Sequence, residues 1–171
     1  MNLERFAKSC HDILKTDPGP AGRRKVCSLL EQALKDREFV SANVGERTPE
    51  RQVIYEDAEL GFCILAHAYK GAKDSAPHDH GPSWAIYGQA AGETIMTDWE
   101  CLARPSEGQP GKARRIRDYA LKPGDAHLYD PGVLHSPRRD GATRLLRIEG
   151  VNMDRVKRLP YEAVELSQAA E

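Results

Sequence analysis

Long apolar runs are missing from this 171-residue chain. No stretch approaches the ~18–20 residues needed to cross a bilayer, so a membrane partner is not expected. Paired cysteines are missing as well: Cys10, Cys27, Cys63 and Cys101 stand far apart with no Cys-x-x-Cys, which indicates neither a zinc ribbon nor a disulfide framework. The opening Met-Asn-Leu-Glu-Arg-Phe lacks the apolar centre of a signal peptide, and the expected compartment is the reducing cytoplasm. Nor does one charge dominate. Twenty-five Lys and Arg face twenty-six Asp and Glu, a net charge of −1, which gives no field to attract nucleic acid or an anionic membrane. The basic residues Lys112, Arg114, Arg115 and Arg117 are interrupted and read as a solvated loop and strand edge. Repeats, low-complexity segments and linkers are absent. The length suits one domain over 1–171 with a full core and an internal cavity.

What is present divides into two patterns. Over 1–40, Leu3, Phe6, Ala7, Cys10, Ile13 and Leu14 recur at helical spacing, and Asp17-Pro18-Gly19-Pro20 breaks the run. Val26, Leu29, Leu30, Ala33, Leu34 and Phe39 repeat it, as in helices packed by one face. From 51 to 160 the period becomes strand-like, with short β-rich runs at 52–56, 62–69, 84–88, 93–102, 115–121, 126–129 and 143–152. Gly, Pro and Asp punctuate them, as in all-β sandwiches and barrels. Residues 104–113 read as a mobile surface loop. The expected architecture is all-β, a barrel with a helical cap packed outside it.

The chemistry concentrates in Pro77-His78-Asp79-His80 and in Asp130-Pro131-Gly132-Val133-Leu134-His135. Two histidines two residues apart face one way only on an extended backbone, so a strand is expected at 78–80. Lys122-Pro123-Gly124-Asp125 and Pro131-Gly132 carry Pro-Gly turn chemistry, glycine taking the positive φ cheaply. The second turn would return His135 to the first pair. Three imidazoles suit Fe, Zn, Ni or Cu. His78, His80 and His135 are therefore the expected metal ligands of a mononuclear site inside the barrel.

His-x-His, then Gly-Asp, then Pro-Gly-x-x-His resembles the cupin superfamily of double-stranded β-helix (jelly-roll) barrels. Within it, Pro77–His80, Trp84-Ala85-Ile86-Tyr87-Gly88 and Gly92-Glu93 resemble the thiol dioxygenases, which act on cysteine and 3-mercaptopropionate. The likeness covers 76–136 most tightly and the rest loosely. It implies Fe(2+) on the three histidines, with O₂ and a small thiol as reactants. Many cupins add a glutamate ligand after His-x-His, and none stands between Gly81 and Tyr87. Leu145-Leu146-Arg147-Ile148-Glu149 occupies the late strand where thiol dioxygenases carry a Ser-x-His-x-Tyr relay. Zn(2+), Ni(2+) or Mn(2+) on the same histidines would instead suit isomerase, lyase or hydrolase chemistry through an activated water. A non-catalytic metal- or ligand-binding protein is the third reading.

Further candidates follow from position. Arg147 and Glu149 share one strand face. If that face is inward, Arg147 can hold a substrate carboxylate and Glu149 can act as base; if outward, they are a surface pair of little worth. Arg51 lies where the resemblance implies a carboxylate-binding arginine, although a surface role beside Glu50 fits as well. Trp84 and Tyr87 follow the first histidine pair and are candidates for substrate contact, barrel core being the other reading. Tyr129 is the tyrosine whose hydroxyl is expected to reach a metal-bound group. His127 shares its face and reads as structural. The composition leaves a homodimer open.

Overall fold

In the computed structural model, which describes residues 1–164, the chain opens with α1 (Leu3–Thr16), α2 (Pro20–Leu34) and α3 (Arg37–Asn43). Each begins where local chemistry permits. The Asn2 side chain accepts the Arg5 N–H at 3.0 Å, and Asp36 accepts those of Glu38 and Phe39, satisfying amides that have no partner in a first turn. Pro20 opens α2, where its missing N–H costs nothing.

Among the described residues ten strands follow: β1 (Gln52–Glu56), β2 (Cys63–Tyr69), β3 (Lys73–Asp74), β4 (Ala85–Ala91), β5 (Thr94–Ala103), β6 (Gly111–Leu121), β7 (Ala126–Tyr129), β8 (His135–Arg139), β9 (Thr143–Glu149) and β10 (Tyr161–Ala163). They form two five-stranded sheets, ordered β1-β2-β9-β4-β7 and β10-β6-β5-β8-β3. Neighbours are antiparallel except β10 beside β6. After β2 the chain changes sheet at every step but the β5–β6 hairpin. This is an all-β double-stranded β-helix with its helices outside, the expected class.

The first sheet is covered on both sides. Ile64, Ala66, Ile86, Leu146 and Ile148 pack with Phe6, Val26, Leu30 and Phe39 of the helices. The alternate residues of the same strands point into the barrel, where Tyr87, Tyr129 and Leu145 meet Met96 and Leu121 of the second sheet. Gly88 lies beneath α2. A Cβ there would stand 2.6 Å from Leu30 Cδ2 and 2.9 Å from Leu34 Cδ1, so the missing side chain sets how closely the helix sits.

The structure differs from the sequence expectation in several places. His78–His80 is not regular strand: His78 makes a single antiparallel bridge to His135, with N–H···O distances of 3.0 and 2.9 Å. The β6 strand begins at Gly111 rather than 115, which leaves 104–110 as the connection. The late strand stops at Glu149, and the chain then enters a 3-10 turn at Met153–Arg155. Strands β3, β8 and β10 lie outside the expected set. Lys112, Arg114, Arg115 and Arg117 pair with Glu162, Glu100, Asp118 and Asp98 on exposed strand faces, as a solvated edge should. No helix among the described residues is long and apolar enough to cross a membrane.

Candidate metal centre

Two turns and a bridge bring the three histidines together. The turn at Asp130–Val133 closes with a Val133 N–H to Asp130 C=O bond of 3.1 Å, and Gly132 takes φ +78° within it. Arg23 of α2 holds that turn through an ion pair to Asp130 at 2.8 Å, so the helical layer helps position the start of β8. His135 is the first residue of β8, and its backbone bridge seats His78 beside it. Asp79 turns away and accepts the Gly81 N–H at 2.9 Å, in a turn that Gly81 opens with φ +57°.

One ring nitrogen from each of His78, His80 and His135 lies within 4.8 Å of the others. The His80 and His135 rings stack, centroids 5.1 Å apart, and the His78 centroid is 4.7 Å from that of His135. Carbonyl oxygens only accept, so the contacts of Nδ1 to Ala76 O in His78 and to Val133 O in His135, both 3.0 Å, place the protons on Nδ1. Nε2 then carries the lone pair in both rings. Among the described residues, His135 Nε2 is fully buried with no partner, and His80 Nδ1 is likewise unpartnered. An unsatisfied buried nitrogen is costly unless something occupies its lone pair. Burial drives the His80 and His135 rings far below their ordinary pKa and takes His78 down to about 4. The rings are neutral at pH 7, the form a metal requires. The donor set fits a divalent transition metal.

A polar chain leads away from the triad. The Tyr87 hydroxyl lies 3.3 Å from His80 Nε2 and accepts from Arg147 at 3.2 Å. Arg147 Nε stands 2.9 Å from Glu149 Oε1, although the N–H does not point along that line, so the contact is an ion pair rather than a linear hydrogen bond. Burial alone would lower the Arg147 pKa; Tyr87 and Glu149 outweigh it and hold the guanidinium charged. Glu149 is fully buried, its second oxygen accepting the Met153 N–H at 3.3 Å. Of the two faces open to Arg147 and Glu149, the structure takes the inward one. Both border a cavity of about 670 Å³ together with His78, His80, Tyr87 and Arg139.

The other sequence candidates divide. Arg51 borders the cavity but is bound to Asp154 and, at 2.8 Å, to Asn152. Trp84 is in the wrong place for substrate contact: it packs in the core between helices and sheet. It stands three residues before Tyr87, and an odd separation along a strand reverses the face. Tyr129 also departs from expectation. Its ring stacks on His135 at 3.8 Å, and its hydroxyl bonds that of Tyr119 rather than reaching toward a metal-bound group. The His127 ring packs at a tilt against Tyr119 and Tyr129 and is not part of the triad. Sequence reasoning missed Arg139. It follows His135 by four residues, an even separation that puts it on the same face, but Pro137 and two arginines hid the strand.

A double-stranded β-helix with three converging histidines, two of them at the wall of a cavity, defines a barrel with a candidate metal site. No family model matches the chain, and no curated protein matches it. Solved structures are similar to it at low identity. A cupin superfamily protein from Desulfitobacterium hafniense is 12% identical over 60% of this chain and 76% of its own, with a TM-score of 0.44. A cupin-2 domain containing protein from Shewanella frigidimarina is 14% identical over 60% and 81%, at 0.43. A conserved protein with a double-stranded β-helix domain from Klebsiella pneumoniae is 15% identical over 68% and 83%, at 0.46. These likenesses concern the barrel and carry nothing about thiol dioxygenation.

Proposed function

We propose that this chain is a metal-dependent enzyme of the cupin type, a non-haem iron dioxygenase that oxidises a small thiol. The observation that carries the reading is the buried, unpartnered Nε2 of His135, grouped with His78 and His80 within 4.8 Å. The resemblance of 76–136 to thiol dioxygenases supplies the reaction. Three neutral ligands leave a bound divalent ion its full charge, which favours an anionic thiolate. Ferrous iron, when held there, supplies the electron transfer between thiol and O₂. Conversion of R–SH and O₂ to R–SO₂H puts both oxygen atoms on sulfur and needs no other reductant.

The chain's own residues have defined tasks in this reading. Glu149 accepts the thiol proton, its carboxylate bordering the cavity. Tyr87 holds His80 on one side and Arg147 on the other. The barrel core around Met96, Leu121 and Leu145 limits access from behind.

A second reading is favoured by one observation, the fully buried carboxylate of Glu149 in the same cavity. With zinc, nickel or manganese on the histidines, that carboxylate is a general base for isomerase, lyase or hydrolase chemistry. Oxygen uptake separates the two. Iron-loaded protein is expected to consume O₂ with cysteine, 3-mercaptopropionate or cysteamine. No uptake with any of the three, together with full zinc occupancy in protein from metal-supplemented cells, would replace the first reading by the second.

A further inference from the structure

The cavity wall carries five cationic and three acidic side chains, and most of the cations are already engaged. Arg147 pairs with Glu149, Arg51 with Asp154, and Lys73 with Glu50. Arg158 is exposed and donates to the Asp79 carbonyl at 3.1 Å. Arg139 is the exception. It is 4% exposed, and its Nε is buried without a partner. Among the described residues no carboxylate bonds it; the Tyr69 ring, whose centroid lies 4.2 Å from the guanidinium carbon, steadies its charge most, with Tyr87 and Glu50 adding through space. A buried cation without a carboxylate is costly, and Arg147 adds repulsion to the burial.

Its position gives that cost a use. His135, Pro137 and Arg139 share one face of β8, and four residues at about 3.3 Å each separate the two end Cα atoms by about 13 Å. The long side chain of Arg139 therefore borders the same cavity as the histidines from the other end of one strand. Building on the reading of this cavity as the substrate site, we infer that Arg139 docks the carboxylate of a small organic acid whose other end reaches the histidine face. One guanidinium that no carboxylate bonds matches one monoanion, and its planar fork fits a carboxylate edge-on. Arg51 and Arg147, the cations that position in the sequence would choose, already hold carboxylates of the protein.

The test uses metal-free full-length protein in chloride-free buffer, titrated by NMR with propionate, propionamide and inorganic phosphate. Propionate is expected to bind the wild type and propionamide not to. Arg139→Met should weaken propionate at least tenfold, and Arg139→Lys should fall between. Without ligand, Arg139→Met should melt at or above the wild-type temperature, because it removes a buried charge that no carboxylate bonds. Undiminished propionate binding in Arg139→Met would overturn the inference. So would absence of propionate binding to wild type, equal binding of propionamide, or a preference for phosphate. A variant Arg139→Met that melts lower or fails to fold would also overturn it, since it would reveal a structural partner for the guanidinium. Because no metal is present, a protein inactive toward O₂ can still pass this test, and an oxygenase can still fail it.

Discussion

At the residue scale, an imidazole binds metal only as its free base, and its second nitrogen must be held to aim the first. His78 and His135 meet both conditions through backbone carbonyls two residues earlier, Ala76 and Val133. That repeated arrangement fixes each ring by local chain geometry rather than by a distant partner. His80 differs, since its neighbour is the Tyr87 hydroxyl. His80→Ala should abolish stoichiometric metal binding, a loss greater than the ~10–100-fold that removal of an outer partner costs. Metal analysis of the purified variant checks this, and full occupancy would sink the ligand assignment. Glu149 shows how little sequence alone says about such a group. Its identity and its strand parity were legible, but a strand has two faces, and only the packing of Leu146 and Ile148 against the helices turns Arg147 and Glu149 inward.

At the element scale, the first sheet works as a partition. One face packs on helices and the other lines the barrel, so a change on one side can be tested for its effect on the other. Gly88→Ala places a methyl within 3.0 Å of Leu30 and Leu34. It is expected to destabilise the fold by about 1–3 kcal/mol through overpacking, read as a lower denaturant midpoint, while metal stoichiometry stays at the wild-type value. Loss of metal together with stability would show that the helices fix the site as well as support it. The strands that could be read beforehand, such as Ala126–Tyr129, are apolar, alternating and flanked by glycine turns. Those that could not are β3, β8 and β10, which are short, charged or proline-bearing. They form because a neighbouring strand offers hydrogen bonds, a tertiary cause that leaves little local pattern.

For the whole molecule, burying neutral histidines links stability to pH. His67, His80 and His135 are each at most 2% exposed. Burial lowers the pKa of all three in the folded state, that of His67 to about 2. The unfolded chain takes up protons near pH 6.5, while the folded chain does not. Stability of the metal-free protein should therefore be steady above pH 6.5 and decline below it. The decline is about 1.4 kcal/mol per pH unit for each such proton. It should ease once the folded rings begin to protonate, starting with His78 near pH 4. Thermal melts of metal-free protein at pH 7, 6 and 5 measure this, and an unchanged midpoint would show that the rings are charged or accessible when folded.

The sequence by itself determined the class of fold and the three histidines, because hydrophobic period, turn glycines and ligand type are all local properties of a chain. It also placed Tyr87, Arg147 and Glu149 near the right part of the barrel. The tertiary structure decided which way their faces turn, that Trp84 belongs to the helix–sheet core, and that the Tyr129 hydroxyl is committed to Tyr119. It alone shows that, among the described residues, no carboxylate bonds Arg139 and its Nε is buried without a partner. Whether a charge is buried and unpaired depends on every segment that folds over it, and no short window of sequence contains them all.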